Sequence, residues 1–313
     1  MSGCTAARPE RYIEWEGDRC EHVGLCARRT ARLVSVPCHS ESKLMRELPE
    51  PLETMPVATA AAVEVLFTDI DDTLTLDGRL PAVAYAALEA LEEAGIAVVP
   101  VTGRPAGWCD LIARLWPVVA VVGENGAFYY RYDRAERQMQ RIYAKSAEER
   151  SADREKLDAI LAEVLATVPG AALAADQAGR DCDLAIDFAE DVGPLDDAAI
   201  RAIVATFERH GAVAKVSSIH VNGWFGSYDK RSMCERLLIE HFGTTREAMG
   251  ERVAFIGDSP NDAPMFGSFP CSIGVANLER FFDVLDAYPR WMTQLPGGLG
   301  FRELADRLLA ARN

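Results

Sequence analysis

The chain has 313 residues, with 33 lysines and arginines against 48 aspartates and glutamates, a net charge of −15. A surface that binds nucleic acid must be cationic to displace counterions, so this balance excludes nucleic acid as a partner. No run approaches the ~18 uncharged apolar residues of a membrane span, the first residues lack the order of a signal peptide, and eight cysteines are too sparse for a disulfide scaffold; a cytoplasmic protein with no membrane partner is expected.

Residues 1–60 hold Cys4, Cys20, Cys26, Cys38, His22 and His39 without a helical or strand period, and read as an irregular extension. Their spacing does not reproduce the paired C-x-x-C pattern of a zinc site. Met55 is an alternative start that would make the preceding residues dispensable. Val63–Ile70 is a β-rich apolar run that ends in acids. A helix follows, with Pro81 near its start, Ala84, Ala87, Leu88 and Leu91 on one face, and Gly95 as its stop. Ile96–Val101 and Val118–Val122 read as two further buried strands. Near-continuous apolar strands alternating with helices predict an α/β fold, a Rossmann-like parallel sheet covered on both faces. Ligands bind beyond the carboxyl ends of such strands.

The middle of the chain has another rhythm. Ser146 and Glu149 are spaced as a capping box, opening a helix with Leu157, Ile160, Leu161, Val164 and Leu165 as its apolar stripe. Strand-like pieces at Ala171–Ala175 and Cys182–Phe188, a helix aligning Ile200, Ile203, Val204 and Phe207, and a strand-like stretch at Ala212–Phe225 complete an inserted α+β cap. The sheet pattern then resumes with a helix from about Lys230 to His241 and strands at Arg252–Ile256 and Cys271–Val275. The expected division is a core of 61–130 and 229–313, with a cap of 131–228.

Chemistry should sit at the strand ends. The first strand closes on Asp69-Ile-Asp-Asp-Thr73, and three carboxylates within four residues repel one another unless a divalent cation joins them. Oxygen ligands of this kind suit magnesium. The second strand closes on Thr102-Gly-Arg-Pro105, where a hydroxyl beside exposed amides can hold a phosphoryl oxygen. Lys230, one of only five lysines, opens a helix where it can neutralise charge on a transferring phosphoryl group. Gly257-Asp-Ser-Pro-Asn-Asp262 follows a strand and offers two carboxylates and an amide to a cation.

Asp-x-Asp-x-Thr, a strand-end Thr, a downstream Lys and Gly-Asp-x-x-x-Asp, in that order, resemble the haloacid dehalogenase superfamily of phosphohydrolases over residues 63 to about 310. The position of the insert, between Asn125-Gly126 and Lys230, resembles subclass IIB, which includes sucrose-phosphate, trehalose-phosphate and mannosyl-phosphoglycerate phosphatases and phosphomannomutase. Gly123-Glu-Asn-Gly-Ala127 and Gly297-Gly-Leu-Gly300 are similar to that subclass as well. The resemblance implies a magnesium-dependent phosphatase of a small phosphorylated metabolite, a sugar phosphate. It makes Asp69 the nucleophile and Asp71 the general acid and base, with Thr102 and Lys230 holding the phosphoryl oxygens. Magnesium would be held by Asp69, the Asp71 carbonyl and Asp258, with Asn261 and Asp262 among or just behind its ligands. Gly103, Arg104 and Asn125 border the phosphoryl site, and the cap residues His220 and Asn222, beside Trp224, are candidates for the sugar. Arg104 and Arg180 are candidates for a second anionic group. A phosphosugar mutase is the nearest rival. A phospho-acceptor signalling module shares the clustered Asp, the Thr and the Lys, but such modules place the phosphorylated Asp after the third strand, where this chain has Gly123-Glu124-Asn125. A silent binding protein is the remaining alternative.

Overall fold

The computed structural model describes residues 48–217 and 219–312, so the cysteine-rich start and the question of zinc there lie outside the described residues. Six strands pair in parallel in the order Glu50–Pro51, Trp291–Met292, Cys271–Gly274, Val253–Gly257, Val65–Thr68 and Ala97–Pro100. The chain leaves Val65–Thr68 toward Ala97–Pro100 on one side and returns at Val253–Gly257 on the other. That reversal opens a crevice above the carboxyl end of Val65–Thr68.

Side-chain alternation sorts each strand between two cores. Leu66 and Val98 face a cluster with Leu88 and Phe301, whereas Val65, Phe67 and Val99 face one with Met233, Leu237 and Phe255. The helix Ala82–Glu93 buries Ala84, Ala87, Leu88 and Leu91, the face its periodicity predicts. Order reaches further toward the N-terminus than expected. Glu50–Pro51 pairs with Trp291–Met292, and Leu52 and Met55 are buried in the first core, so the irregular extension does not run to residue 60.

Beyond Ala97–Pro100, a parallel bridge from Val101 to Val122 leads to Val121–Gly123, on which Phe128–Asp133 and Gln138–Tyr143 form an antiparallel hairpin. The sequence offers no Gly or Pro at the tip of this hairpin. Arg137 takes the left-handed conformation there (φ 54°), and an Asp133 oxygen accepts the amides of Ala135 and Glu136.

The cap is a four-stranded antiparallel sheet in the order Ala172–Leu173, Leu184–Asp187, His220–Trp224 and Val213–Val216, with the helices Ala147–Thr167 and Asp197–Arg209 on one face. The stretch expected as a single strand at Ala212–Phe225 is thus two strands joined by a turn. Leu184, Ile186 and Val221 pack against the helices. Gly223 lies on the same side, where an added Cβ would meet the Phe207 ring at 2.1 Å. By alternation His220, Asn222 and Trp224 face the other way.

Gly126 sits at the junction of core and insert. It has φ 102°, and an added Cβ would stand 2.0 Å from the Asp229 carbonyl oxygen, in the peptide that starts the Lys230 helix. We expect Gly126→Ala to cost about 3 kcal/mol, read as a lower urea midpoint with an unchanged m-value, because backbone and not a movable side chain fills the space.

Candidate active site

Asp69 is the first residue after Val65–Thr68, and its N–H donates to the Ile256 carbonyl at 2.9 Å, which aligns it with the neighbouring strand end at Gly257-Asp258. Lys230 opens the helix Lys230–Phe242, whose N-cap Asp229 accepts the Ser232 amide at 2.7 Å. From there the Lys230 ammonium reaches Asp69 Oδ1 at 2.6 Å and Asp262 Oδ1 at 2.8 Å. The other Asp262 oxygen accepts the Asp258 amide at 3.2 Å and so closes the Gly257–Asp262 turn on itself. Oxygens of Asp69, Asp258 and Asp262 lie within 4.8 Å of one another, and all three side chains are buried.

One ammonium faces three buried carboxylates. Burial, with repulsion from Asp262 and Asp71, pushes the Asp69 carboxyl up to about 8 against the pull of Lys230. Burial likewise raises Asp258, with Asp69 and Asp262 adding to the effect. Lys230 itself stays charged: burial works against its charge, but Asp262 and Asp69 raise its pKa. The cluster is short of positive charge, and its donors are all oxygen, which fits a hard divalent cation.

Asp71 points away from this cluster. Arg104 grips its carboxylate from Nε at 3.1 Å and from Nη2 at 2.9 Å, stacks over Trp108, and touches the cap's Glu190 at 3.3 Å. Glu190 in turn lies 2.9 Å from His220, whose pKa burial lowers. Thr102 is fully buried, with its hydroxyl accepting the Arg104 amide at 3.0 Å; Gly103 and Arg104 form the adjacent cavity wall. Asn125, in the left-handed conformation (φ 56°), lays its amide against Gly103.

Glu124 is the functional residue that sequence reasoning left without a role. It also adopts a left-handed backbone (φ 44°) and is wholly buried. One oxygen accepts the Ala106 amide of the core at 3.0 Å and the Asp181 amide of the cap at 2.9 Å; the other accepts Cys182 and Asp183 amides at 2.6 and 3.1 Å. Burial and Asp183 push its carboxyl up to about 8 despite these donors. Asn277 likewise carried no signal, yet its amide donates to Asp258 at 3.2 Å and to the Asp72 carbonyl at 3.0 Å, and accepts the Gly297 N–H at 2.9 Å. The glycine run lets the last helix approach this closely: a Cβ on Gly298 would stand 2.4 Å from the Leu74 carbonyl.

A cavity of about 620 Å³ joins core and cap above these strand ends. Asp69, Asp71, Asp258 and Asn261 line its floor, and His220 and Asn222 its roof. Trp224 does not reach it, because its indole is buried, stacks on Tyr228 and donates to the Tyr228 carbonyl. Arg180 has no free donor face for a second anion: its guanidinium bonds Asp176, Asp183 and the Gly103 carbonyl.

Residues 66–162 match the haloacid dehalogenase-like hydrolase family. The fold agrees beyond that stretch. A trehalose-6-phosphate phosphatase C-terminal domain from C. albicans superposes with a TM-score of 0.62 at 14% identity, covering 85% of this chain and 99% of that one. A Thermoplasma acidophilum protein gives 0.60 at 17% identity (79% and 98% covered), and a haloacid dehalogenase-like hydrolase from Bacteroides thetaiotaomicron 0.55 at 17% (79% and 99%). No curated protein matches the chain. Among the described residues no helix is long and apolar enough to cross a membrane.

Proposed function

We propose that this chain is a magnesium-dependent phosphatase of a small phosphorylated metabolite and works through an aspartyl phosphate. The observation that carries the reading is the placement of Asp69 on the cavity floor, 2.6 Å from a buried lysine. A carboxylate there is the nucleophile: one oxygen bonds phosphorus as the ester P–O bond breaks. Lys230 offsets charge on the phosphoryl oxygens. Gly103 and Asn125 border the same oxygens, while Thr102, expected to touch them, is buried away from the cavity and instead holds the Gly103–Arg104 loop through its hydroxyl. Asp71, two residues on and 37% exposed, gives its proton to the leaving alkoxide and takes one from the water that then releases phosphate, restoring Asp69. Arg104 must let go of at least one Asp71 oxygen for this, and Glu190 and Trp108 are the partners that keep the guanidinium in place meanwhile.

Asp69, the Asp71 carbonyl and Asp258 would hold the magnesium, with Asp262 beside them and Asn261 close by. When bound, the ion offsets repulsion between the carboxylate cluster and an anionic substrate. We divide the chain into a core of 61–130 and 229–313, to which residues 50–60 add an edge strand and buried side chains, and an insert of 131–228 whose hairpin leads from the core to the cap that selects substrate. Sugar phosphates are the substrate class suggested by likeness to a trehalose-6-phosphate phosphatase domain. The decisive experiment is phosphate release from a panel of phosphorylated sugars and sugar acids with magnesium, with isomerisation of hexose 1-phosphate scored in parallel; isomerisation without release would replace the phosphatase by a mutase.

Metal removal supplies a prediction with two readouts. EDTA should stop turnover, and magnesium should restore it. Magnesium should also raise the melting temperature, because at 100 times its Kd a ligand of the folded state adds about 2.7 kcal/mol. An unchanged melting temperature across magnesium concentrations would argue that the cluster does not bind it.

A further inference from the structure

The cavity is far larger than a phosphoryl group on Asp69 requires, at about 620 Å³, and away from Asp69 an apolar stretch of wall stands beside Lys215, Ser217, Ser259, Asn261 and Arg280. Phe188, Ile200, Val216 and Ile219 of the cap face Phe281 and Val284 of the core. Val216 is 44% exposed and Val284 65%, so two aliphatic side chains stand in water on opposite sides of one opening.

Most polar groups on the cap side already have partners, while on the core side Arg280 makes only long contacts, to Asp72 at 3.4 Å and Asp258 at 3.6 Å. Arg180 bonds Asp176, Asp183 and Gly103; Arg104 bonds Asp71; His220 faces Glu190; the Asn222 amide donates to Asp183 at 3.2 Å. The Ser217 hydroxyl donates to the His220 carbonyl at 3.0 Å and accepts the His220 amide at 3.0 Å. Of the lining residues, Asn125 and Lys215 lack a side-chain hydrogen bond or ion pair among the described residues, and Asn125 belongs to the phosphoryl end. A hexose seated against Phe188, Ile219, Val216 and Val284 would turn hydroxyls toward apolar walls without partners, and each such burial is costly.

We infer that the substrate is a phosphate monoester whose alcohol carries an apolar body, an aliphatic chain or aromatic ring, that fills the space between Val216 and Val284 and contacts the phenylalanines behind them. This rests on the phosphatase reading and, from the lining of the cavity, replaces the sugar phosphate suggested by fold likeness with a different substrate class. An apolar leaving group would bury the exposed aliphatic surface, whereas a hexose would leave it wet.

The test uses the full chain with magnesium and the n-alkyl phosphates from ethyl to hexyl, with glucose 6-phosphate beside them. The expected result is a kcat/KM that rises about fourfold per methylene until the apolar end is full, with hexyl phosphate above glucose 6-phosphate. Val216→Asn and Val284→Asn, at exposed positions that leave the melting temperature unchanged, should each lower the hexyl-to-ethyl ratio several-fold. A flat series, a preference for glucose 6-phosphate, or an unchanged ratio in both variants overturns the inference while leaving the phosphatase intact. Release from none of the esters overturns the phosphatase reading and this inference with it.

Discussion

Asp69→Asn should abolish phosphate release, by roughly 10⁴-fold or more in kcat, without loss of fold. The amide keeps the shape of the carboxylate but cannot form the acyl phosphate. Its effect on stability should run opposite to its effect on activity. In the folded chain the Asp69 carboxyl is raised from 3.8 to about 8. Between those values the folded state binds a proton that the unfolded chain has released, so ionising Asp69 weakens the fold progressively as pH rises through that window. Asparagine carries no such penalty. In metal-free buffer the variant should therefore match or exceed the wild type in melting temperature, by a margin that grows from about pH 4 to pH 8. Added magnesium should shrink the margin. Full turnover by Asp69→Asn, or a global loss of structure at neutral pH, would contradict this account.

Lys230→Met should be damaging in both respects. The ammonium is the one cation bonded to both Asp69 and Asp262 among the described residues, and its side chain is 5% exposed. Methionine keeps much of the volume but leaves buried carboxylates uncompensated, a loss of about 3–5 kcal/mol when one partner of a buried pair is removed. Turnover should fall as well, because nothing else at that position can meet the phosphoryl oxygens. Part of the stability should return with magnesium, since the ion supplies positive charge to the same carboxylates. Urea unfolding with and without magnesium measures both quantities; a variant as stable as the wild type in EDTA would mean that the carboxylates neutralise themselves by taking up protons.

The strand-end residues could be read in the sequence because a parallel sheet brings every carboxyl end to one edge, so order along the chain predicts proximity in space. Asp69, Lys230, Asp258 and Asp262 meet for that reason, although as many as 193 positions separate them. Elements whose signal is a side-chain interaction were harder to see. The break in Ala212–Phe225 rests on Ser217, whose hydroxyl accepts the amides of Ile219 and His220 in place of a glycine or proline turn. Trp224 looks the same in sequence whether it stacks on a ligand or on Tyr228. Asn277 and Glu190 stand far along the chain from the acids they serve, Asn277 directly and Glu190 through Arg104; neither forms a local pattern, and only the folded chain brings them there. Glu124 was part of a visible motif, but its partners are backbone amides, which any sequence possesses.

The four amides gathered on Glu124 give the enzyme a mechanical axle. Three belong to the cap and one to the core helix Ala106–Leu115, and Arg180 adds a second tie a short distance away through the Gly103 carbonyl. A cap held at these points would move least beside them and most at the far rim, where Val216 and Val284 line the same cavity. A substrate would then enter and leave by the apolar rim. The phosphoryl end would keep its alignment, and the work of admitting different alcohols would fall on side chains that take no part in breaking the bond.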